Sequence, residues 1–205
     1  MRISKDPKER KDELMDAAEE LFSTVGYNGI SVSDIVKKVS VSQGTFYYYF
    51  KSKEDMFIDI FARNSEVLIN KLQEETKDNN INALEKLIRV VEIYAQSKEN
   101  KEGNKLVEAL HYDENTSLHH KVIVQGITSK LPVFTDIIIQ GVDEGIFHTE
   151  YPREVAEFML TEFGFVLDPG VFGFNKEQII KKSEALTDMI EKILGLTKGS
   201  FVITL

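Results

Sequence analysis

From Leu14 to Leu194 the apolar side chains return every three or four positions, and outside the tail Phe201–Leu205 no stretch of strand length alternates with period two. That spacing puts apolar residues on one face of successive helices and leaves no material for a sheet. Leu14, Ala18, Leu21, Phe22 and Val25 form the first stripe, and Gly26 supplies the positive φ that ends it. Ser31 stands three residues before Asp34, the spacing of a capping box. It opens a short helix with Val32, Ile35, Val36 and Val39 inward. Ser40-Val41-Ser42 makes a turn, and Ser42 can cap a third helix, Gln43–Phe50. Ser52 and Asp55 repeat the start signal for a long helix to about Lys77.

Further on, Asn82 and Glu85 open a helix with Leu84, Leu87, Ile88, Val91 and Ala95 on one side, and a short helix follows through Leu106, Leu110 and His111. Ser117–Glu144 is helical in pattern, with a kink or break expected at Pro132 because proline lacks a backbone donor and clashes with the preceding turn. Pro152 suits the first turn of a helix to about Asp168; Pro169-Gly170 and Gly173 form a loop; Asn175 and Gln178 cap a last helix closed by Gly195. The expected class is all-α, with about nine helices. The expected division is a helix-turn-helix domain over 1–53 with its recognition helix at 43–50, a connecting helix over 54–78, a ligand-binding and dimerisation domain over 79–197, and a tail over 198–205.

Composition removes several functions. The chain has no cysteine, which excludes disulfide scaffolds, thiolate metal sites and thiol catalysis and fits a reducing, cytoplasmic setting. The longest runs without a charged residue are Phe22–Ser33 and Val39–Phe50, too short for a membrane span, and Met1–Lys11 lacks the apolar core of a secretory signal. No Ser–His–Asp or paired-carboxylate arrangement gives catalysis an anchor, and no cofactor is expected. His111, Asp113, Glu114, His119 and His120 cluster in sequence, and a solvated, capping stretch accounts for them better than a metal site does. The net charge of −9 is unevenly held: residues 1–53 carry nine Lys/Arg against eight Asp/Glu, while residues 54–205 carry sixteen against twenty-six. Ordinary solvated faces explain this as well as a DNA-facing first part does. Lys37 and Lys38 read most simply as solvated.

The third helix is the informative one. With 100° per residue, Phe46 and Phe50 point inward, Gly44 and Tyr48 nearly opposite, and Thr45 and Tyr47 lie on the flanks. Three consecutive tyrosines, Tyr47, Tyr48 and Tyr49, cannot all face one core. Exposed aromatics call for a partner. Tyrosine hydroxyls and Thr45 can donate to phosphate oxygens, Gly44 lets the backbone approach a base edge, and Gln43 pairs geometrically with adenine.

These residues carry a family resemblance. Ala17-Ala18-x-x-Leu21-Phe22-x-x-x-Gly26-Tyr27, Ser31-Val32-x-Asp34-Ile35 and Val41-Ser42-x-Gly44-Thr45-Phe46-Tyr47-Tyr48-Tyr49-Phe50-Lys51-Ser52-Lys53-Glu54 resemble the TetR family of bacterial transcriptional regulators over roughly residues 8–60. Beyond that the likeness lies in helix count, helix lengths and the helix ending Gln140–Phe147. The resemblance implies a homodimer that binds a pseudo-palindromic operator in double-stranded DNA and releases it when a small-molecule effector enters the C-terminal domain. By position it implies DNA contacts from Ser31, Ser33, Gln43, Gly44, Thr45, Tyr47, Tyr48, Tyr49 and Lys53, the last on a phosphate. Two departures stand out. Many members have Gly where this chain has Ser40, and Arg or Lys is frequent at the positions of Ser33 and Gln43.

In the C-terminal part, Tyr94, Phe134, Met159 and Phe163 are the candidate pocket residues, with plain core packing as the competing reading. Val155, Phe158, Val166, Leu186, Met189, Ile190 and Ile193 lie on two broad apolar faces, which the resemblance assigns to a dimer interface. The rival functions are an all-α carrier or enzyme whose cavity is lined by Tyr47 and Tyr48, and a protein-partner adaptor.

Overall fold

The computed structural model describes residues 6–78, 80–99, 106, 110 and 115–201. Among them are eight α-helices of seven residues or more, one single-turn helix, and no strand. The helices are α1 (Pro7–Val25), α2 (Val32–Lys38), α3 (Gln43–Tyr49), α4 (Lys53–Lys77), α5 (Ala83–Glu99), α6 (Thr116–Asp143), α7 (Pro152–Thr161), α8 (Pro169–Phe172) and α9 (Lys176–Ile193). The described residues divide into two compact units. The first comprises residues up to Asn64 with Leu106, Leu110 and 115–122; the second comprises Ser65 to Glu99 and Ile123 onward. The first unit therefore extends past residue 53 and takes in one end of α4 and one end of α6.

Within the first unit, local chemistry fixes each helix end. The Asp6 carboxylate accepts from the Lys8 and Glu9 backbone N–H groups, and Pro7 fills the first turn of α1, where its missing donor costs nothing. Gly26 ends the helix at φ 93°. The core is built from Leu14, Ala18, Phe22, Ile35, Phe46, Phe50, Phe57 and Ile60, with Leu106, Leu110, Leu118 and Val122 joining them. Val25, expected on the inward stripe of α1, is exposed; the buried Met15 and Ala17 widen the stripe instead. Charge pairs seat α1 against α4. The Arg63 guanidinium spans Asp16 and Glu19, both at 2.7 Å, and Lys11 meets Asp59 at 2.7 Å.

The second unit has its own core, including Leu87 and Val91 of α5, Phe134 and Ile138 of α6, Met159 of α7, Ile190 of α9, and Leu194 and Phe201 beyond it. Two buried charged groups brace it. The Lys86 ammonium donates to the Thr76 carbonyl at 2.7 Å and to Gln140 Oε1 at 2.8 Å, tying α5 to α4 and α6. The Glu191 carboxylate accepts from the Gly199 and Phe201 N–H groups at 2.7 and 3.0 Å, folding the end of the described chain back onto α9.

Several expectations need correction. α6 runs through Pro132 without a break, because residues on both sides of it, Leu131, Val133 and Phe134, are locked into the core. The helix begun at Pro152 is α-helical only to Thr161 and widens into a π-turn over Glu162–Val166. The segment expected as a loop at Pro169 contains α8. α6 is also long and apolar enough to cross a membrane, with a mean hydropathy of 1.5 over 18 residues, although Lys121, Lys130 and Asp136 interrupt it. Its hydropathy has a local cause: Leu118 and Val122 are buried in the first core, and Leu131, Ile137 and Ile138 in the second. The expected helix through Leu106, Leu110 and His111 falls mostly outside the described residues, as does the alternating tail segment beyond Phe201.

Candidate nucleic-acid interface

Two short helices and a turn build this site. At the start of α2, Ser31 and Asp34 form a reciprocal cap: the Asp34 N–H donates to Ser31 Oγ at 3.3 Å, and the Ser31 N–H and hydroxyl donate to the Asp34 carboxylate at 2.9 and 2.6 Å. Those hydrogen bonds hold the Asp34 carboxyl below its ordinary pKa. The Ser31 hydroxyl is thus spent on the cap, whereas Ser33 is exposed in the first turn.

α2 stops in a Schellman arrangement. The Val41 N–H donates to Val36 O at 2.9 Å and the Ser40 N–H to Lys37 O at 3.2 Å. The residue between cap and return must be left-handed, and Ser40 is so, at φ 58°; it is the one non-glycine residue with positive φ among the described residues. Ser42 then caps α3, accepting from the Thr45 N–H at 3.2 Å.

α3 splits cleanly by face. Phe46 and Phe50 are buried, while Tyr47 is 56% and Tyr48 76% exposed. Gln43 and Gly44 are exposed beside them, and Thr45 and Tyr49 are half-buried. The rings hold one another: Tyr47 meets the buried Phe46 edge-on at 5.3 Å, and Tyr48 meets Tyr49 at 4.8 Å with perpendicular planes. The outward face is therefore a fixed aromatic platform rooted in the core, with a bare glycine beside it.

Lys53, expected on a phosphate, is engaged by groups of its own chain. Its Nζ donates to Tyr27 O at 2.7 Å and Ile30 O at 2.8 Å and lies 4.0 Å from the centroid of the Tyr27 ring. Partial burial lowers its pKa. Tyr27 is pushed up to about 12, first by burial and then by the Glu54 charge. This pairing went unseen in the sequence because Tyr27 and Lys53 lie on either side of the whole helix-turn-helix; the only signal was an aromatic residue directly after a helix-ending glycine. Lys38 pairs with Glu20 at 2.7 Å, and Lys37 is exposed.

In the second unit, Phe134, Met159 and Phe163 are buried in the core, and Tyr94 packs edge-on against Phe163 at 6.2 Å. Burial, with a contribution from Asp168, pushes the Tyr94 hydroxyl up to about 12. Val155, Phe158, Leu186, Met189, Ile190 and Ile193 come together around a surface groove of about 190 Å³ between α7 and α9, which Met159 also lines; Val166 lies outside it. Phe158 is 65% exposed at its rim. His119 is buried and His120 exposed, while His111, Asp113 and Glu114 lie outside the described residues. Among the described residues no group of His, Asp and Glu is placed to hold a metal.

Known proteins share this arrangement. Residues 14–60 match the model of bacterial regulatory proteins of the tetR family, and residues 97–189 that of the tetracyclin repressor-like C-terminal domain. The fatty acid metabolism regulator protein of Bacillus subtilis is 28% identical over 133 residues, 65% of this chain and 68% of that one. The regulator QacR of Staphylococcus aureus is 44% identical over 50 residues, 24% of this chain and 27% of that one. The fatty acid degradation regulator FadR of Bacillus halodurans has the same fold, with a TM-score of 0.56 at 22% identity, covering 94% of this chain and 95% of that one. With a helix-turn-helix closed by a Schellman turn, an outward aromatic face on its second helix, and both halves of one family matched in order, the chain belongs to the TetR family of bacterial regulatory proteins and is a DNA-binding transcriptional regulator.

Proposed function

We propose that the chain acts in the cytoplasm as a homodimeric repressor that leaves a pseudo-palindromic operator when a small amphipathic ligand enters its second unit. The observation that carries the DNA reading is the outward face of α3, where Tyr47 and Tyr48 stand exposed beside Gly44. In this reading Gln43 meets an adenine edge, Gly44 admits the duplex to the helix backbone, and Thr45, Tyr47, Tyr48, Tyr49 and Ser33 donate to phosphates or base edges. Ser31 contributes by fixing the start of α2. No arginine or lysine lies in Ser42–Phe50, so the bidentate contact to guanine is unavailable. Recognition then leans on backbone contacts and on the shape of the duplex.

The apolar groove with exposed Phe158, Met189 and Ile193 supports pairing of two copies. A dimer places two recognition helices one DNA turn apart, about 34–36 Å. α4 is continuous from Lys53 to Lys77 and belongs to both units, so it is the natural carrier of a ligand's effect. Such a ligand acts only through a difference in its affinity for the two arrangements. Tyr94, Phe134, Met159 and Phe163 are the proposed pocket walls, and the fatty acid regulator aligned over 65% of this chain favours a fatty-acid-like ligand. The carrier or enzyme reading asks Tyr47 and Tyr48 to line a cavity, which their exposure disfavours.

The test is selection of duplexes from a random pool by the purified protein, followed by gel shift with and without long-chain fatty acid derivatives. The expected outcome is a two-fold symmetric consensus without a guanine anchor in each half-site. Tyr48→Ala should weaken operator binding roughly tenfold while leaving the fold intact. Failure to enrich any duplex defeats the reading. A guanine-anchored consensus defeats the recognition scheme, and binding unaffected by every saturating ligand defeats the allosteric part.

A further inference from the structure

Lys53 opens α4, and position alone suggests a phosphate ligand. Its ammonium is already committed. An ammonium has three N–H donors. Two go to the carbonyls of Tyr27 and Ile30, at 2.7 and 2.8 Å, and the π face of Tyr27, 4.0 Å from Nζ, occupies a further side of the charge. Reaching a phosphate would mean giving up part of this cage.

What the cage holds is the segment that launches α2. Ile30 is buried, and the next residue, Ser31, is the cap of α2. Tyr27 is itself wedged between Phe22 at 5.4 Å and Phe57 at 5.1 Å, so the loop is gripped from both sides. α2 in turn carries the Schellman turn that aims α3, and Ile35 shares a core with Phe46. From α4 to the loop, from the loop to α2, and from α2 to α3, each link is a hydrogen bond, a cap or a shared core.

We propose that Lys53 is a positioning residue of the reading head, setting where α2 and α3 stand by caging the 27–30 loop, and that it does not neutralise a phosphate. The proposal rests on the reading of α3 as the DNA-recognition helix. It predicts that Lys53 governs discrimination between sequences and leaves the electrostatic part of binding untouched.

Two variants separate the roles. K53M keeps an apolar stem and no donor; K53Q is neutral and keeps two amide N–H donors for the carbonyls, on a stem one atom shorter. Each is compared with the wild type on a duplex the wild type has selected and on a shuffled duplex of the same composition, over a series of KCl concentrations, at temperatures where melting curves show the protein folded. For K53M the ratio of selected to shuffled affinity should fall about tenfold or more, with an unchanged salt slope; K53Q should recover part of the ratio. A phosphate contact would instead lower the slope by about 0.9 in both variants and weaken both duplexes alike, and that result overturns the proposal. An unchanged ratio in K53M overturns it as well, since a residue that matters only for stability would leave the folded protein's discrimination intact. Should K53M fail to fold, the slope of K53Q decides: unchanged supports positioning, lower by about 0.9 refutes it. A wild type that selects no duplex brings down the DNA reading and this proposal together, whereas a selecting wild type with phosphate-like variants brings down this proposal alone.

Discussion

Ser40 shows how one residue can be held against its own preference. A left-handed backbone brings the Cβ too close to the carbonyl, at a cost on the order of 1 kcal/mol. Ser40 sits there, at φ 58°, because its neighbours overdetermine it: the two Schellman hydrogen bonds and the burial of Val36 fix the chain on either side. Ser40→Gly should therefore raise stability by up to about 1 kcal/mol, seen as a higher thermal midpoint, with operator affinity unchanged or slightly improved. A lower midpoint would mean that the serine side chain contributes something the turn geometry does not explain. The departure from glycine at this position was legible in the sequence, and so was its cost. The contacts of Lys53 were not, because a lysine at a helix start looks the same whether its ammonium faces solvent or two carbonyls 23 and 26 residues earlier.

Among the elements, the end of α6 is tightly built. The Ile146 N–H donates to Gly141 O and the Gly145 N–H to Val142 O, a second Schellman turn, with Gly145 at φ 70°. The chain then folds back so far that the Phe147 ring lies on Gly141: a Cβ there would come within 2.0 Å of the ring. Phe147 is buried and has no room to retreat. Gly141→Ala should thus destabilise the second unit by about 1–3 kcal/mol, measurable by denaturant titration, while the helix-turn-helix keeps its own structure. The motif Gln140–Phe147 marked a helix ending in the sequence, but the reason for Gly141 is a contact made after the chain has turned. Pro132 gives the converse lesson. Its chemistry argued for a break, and core residues on both sides of it carried the helix through. The π-turn at Glu162–Val166 likewise has no signature in a run whose composition suits an ordinary helix.

For the whole molecule, the exposed apolar groove bears on assembly. Phe158, Met189 and Ile193 are 65%, 48% and 40% exposed around the groove between α7 and α9, while Val155, Leu186 and Ile190 close its floor. Apolar side chains left at a surface in this way support the proposed pairing of two copies here. The double variant Phe158→Glu with Met189→Glu should sediment as a monomer and lose most of its operator affinity, because one reading head forfeits the second half-site. Since both side chains are exposed, thermal stability of the single chain should change little. A variant that remains dimeric would place the interface elsewhere.

Sequence by itself determined the long helices, the caps at Ser31, Ser42 and Asn175, and the outward face of α3, because these follow from the 3.6-residue period and from hydrogen bonds three or four residues apart. It also determined the family, since the signature lies in that same local chemistry. Tertiary structure decided what distant residues do to one another: that Lys53 cages the 27–30 loop, that Lys86 and Glu191 are buried and satisfied, that α6 serves two cores, and that seven apolar residues share one groove. The physical reason is range. A cap is complete within one turn of helix, whereas the partner of a buried charge or an apolar face is known only once the chain has closed on itself.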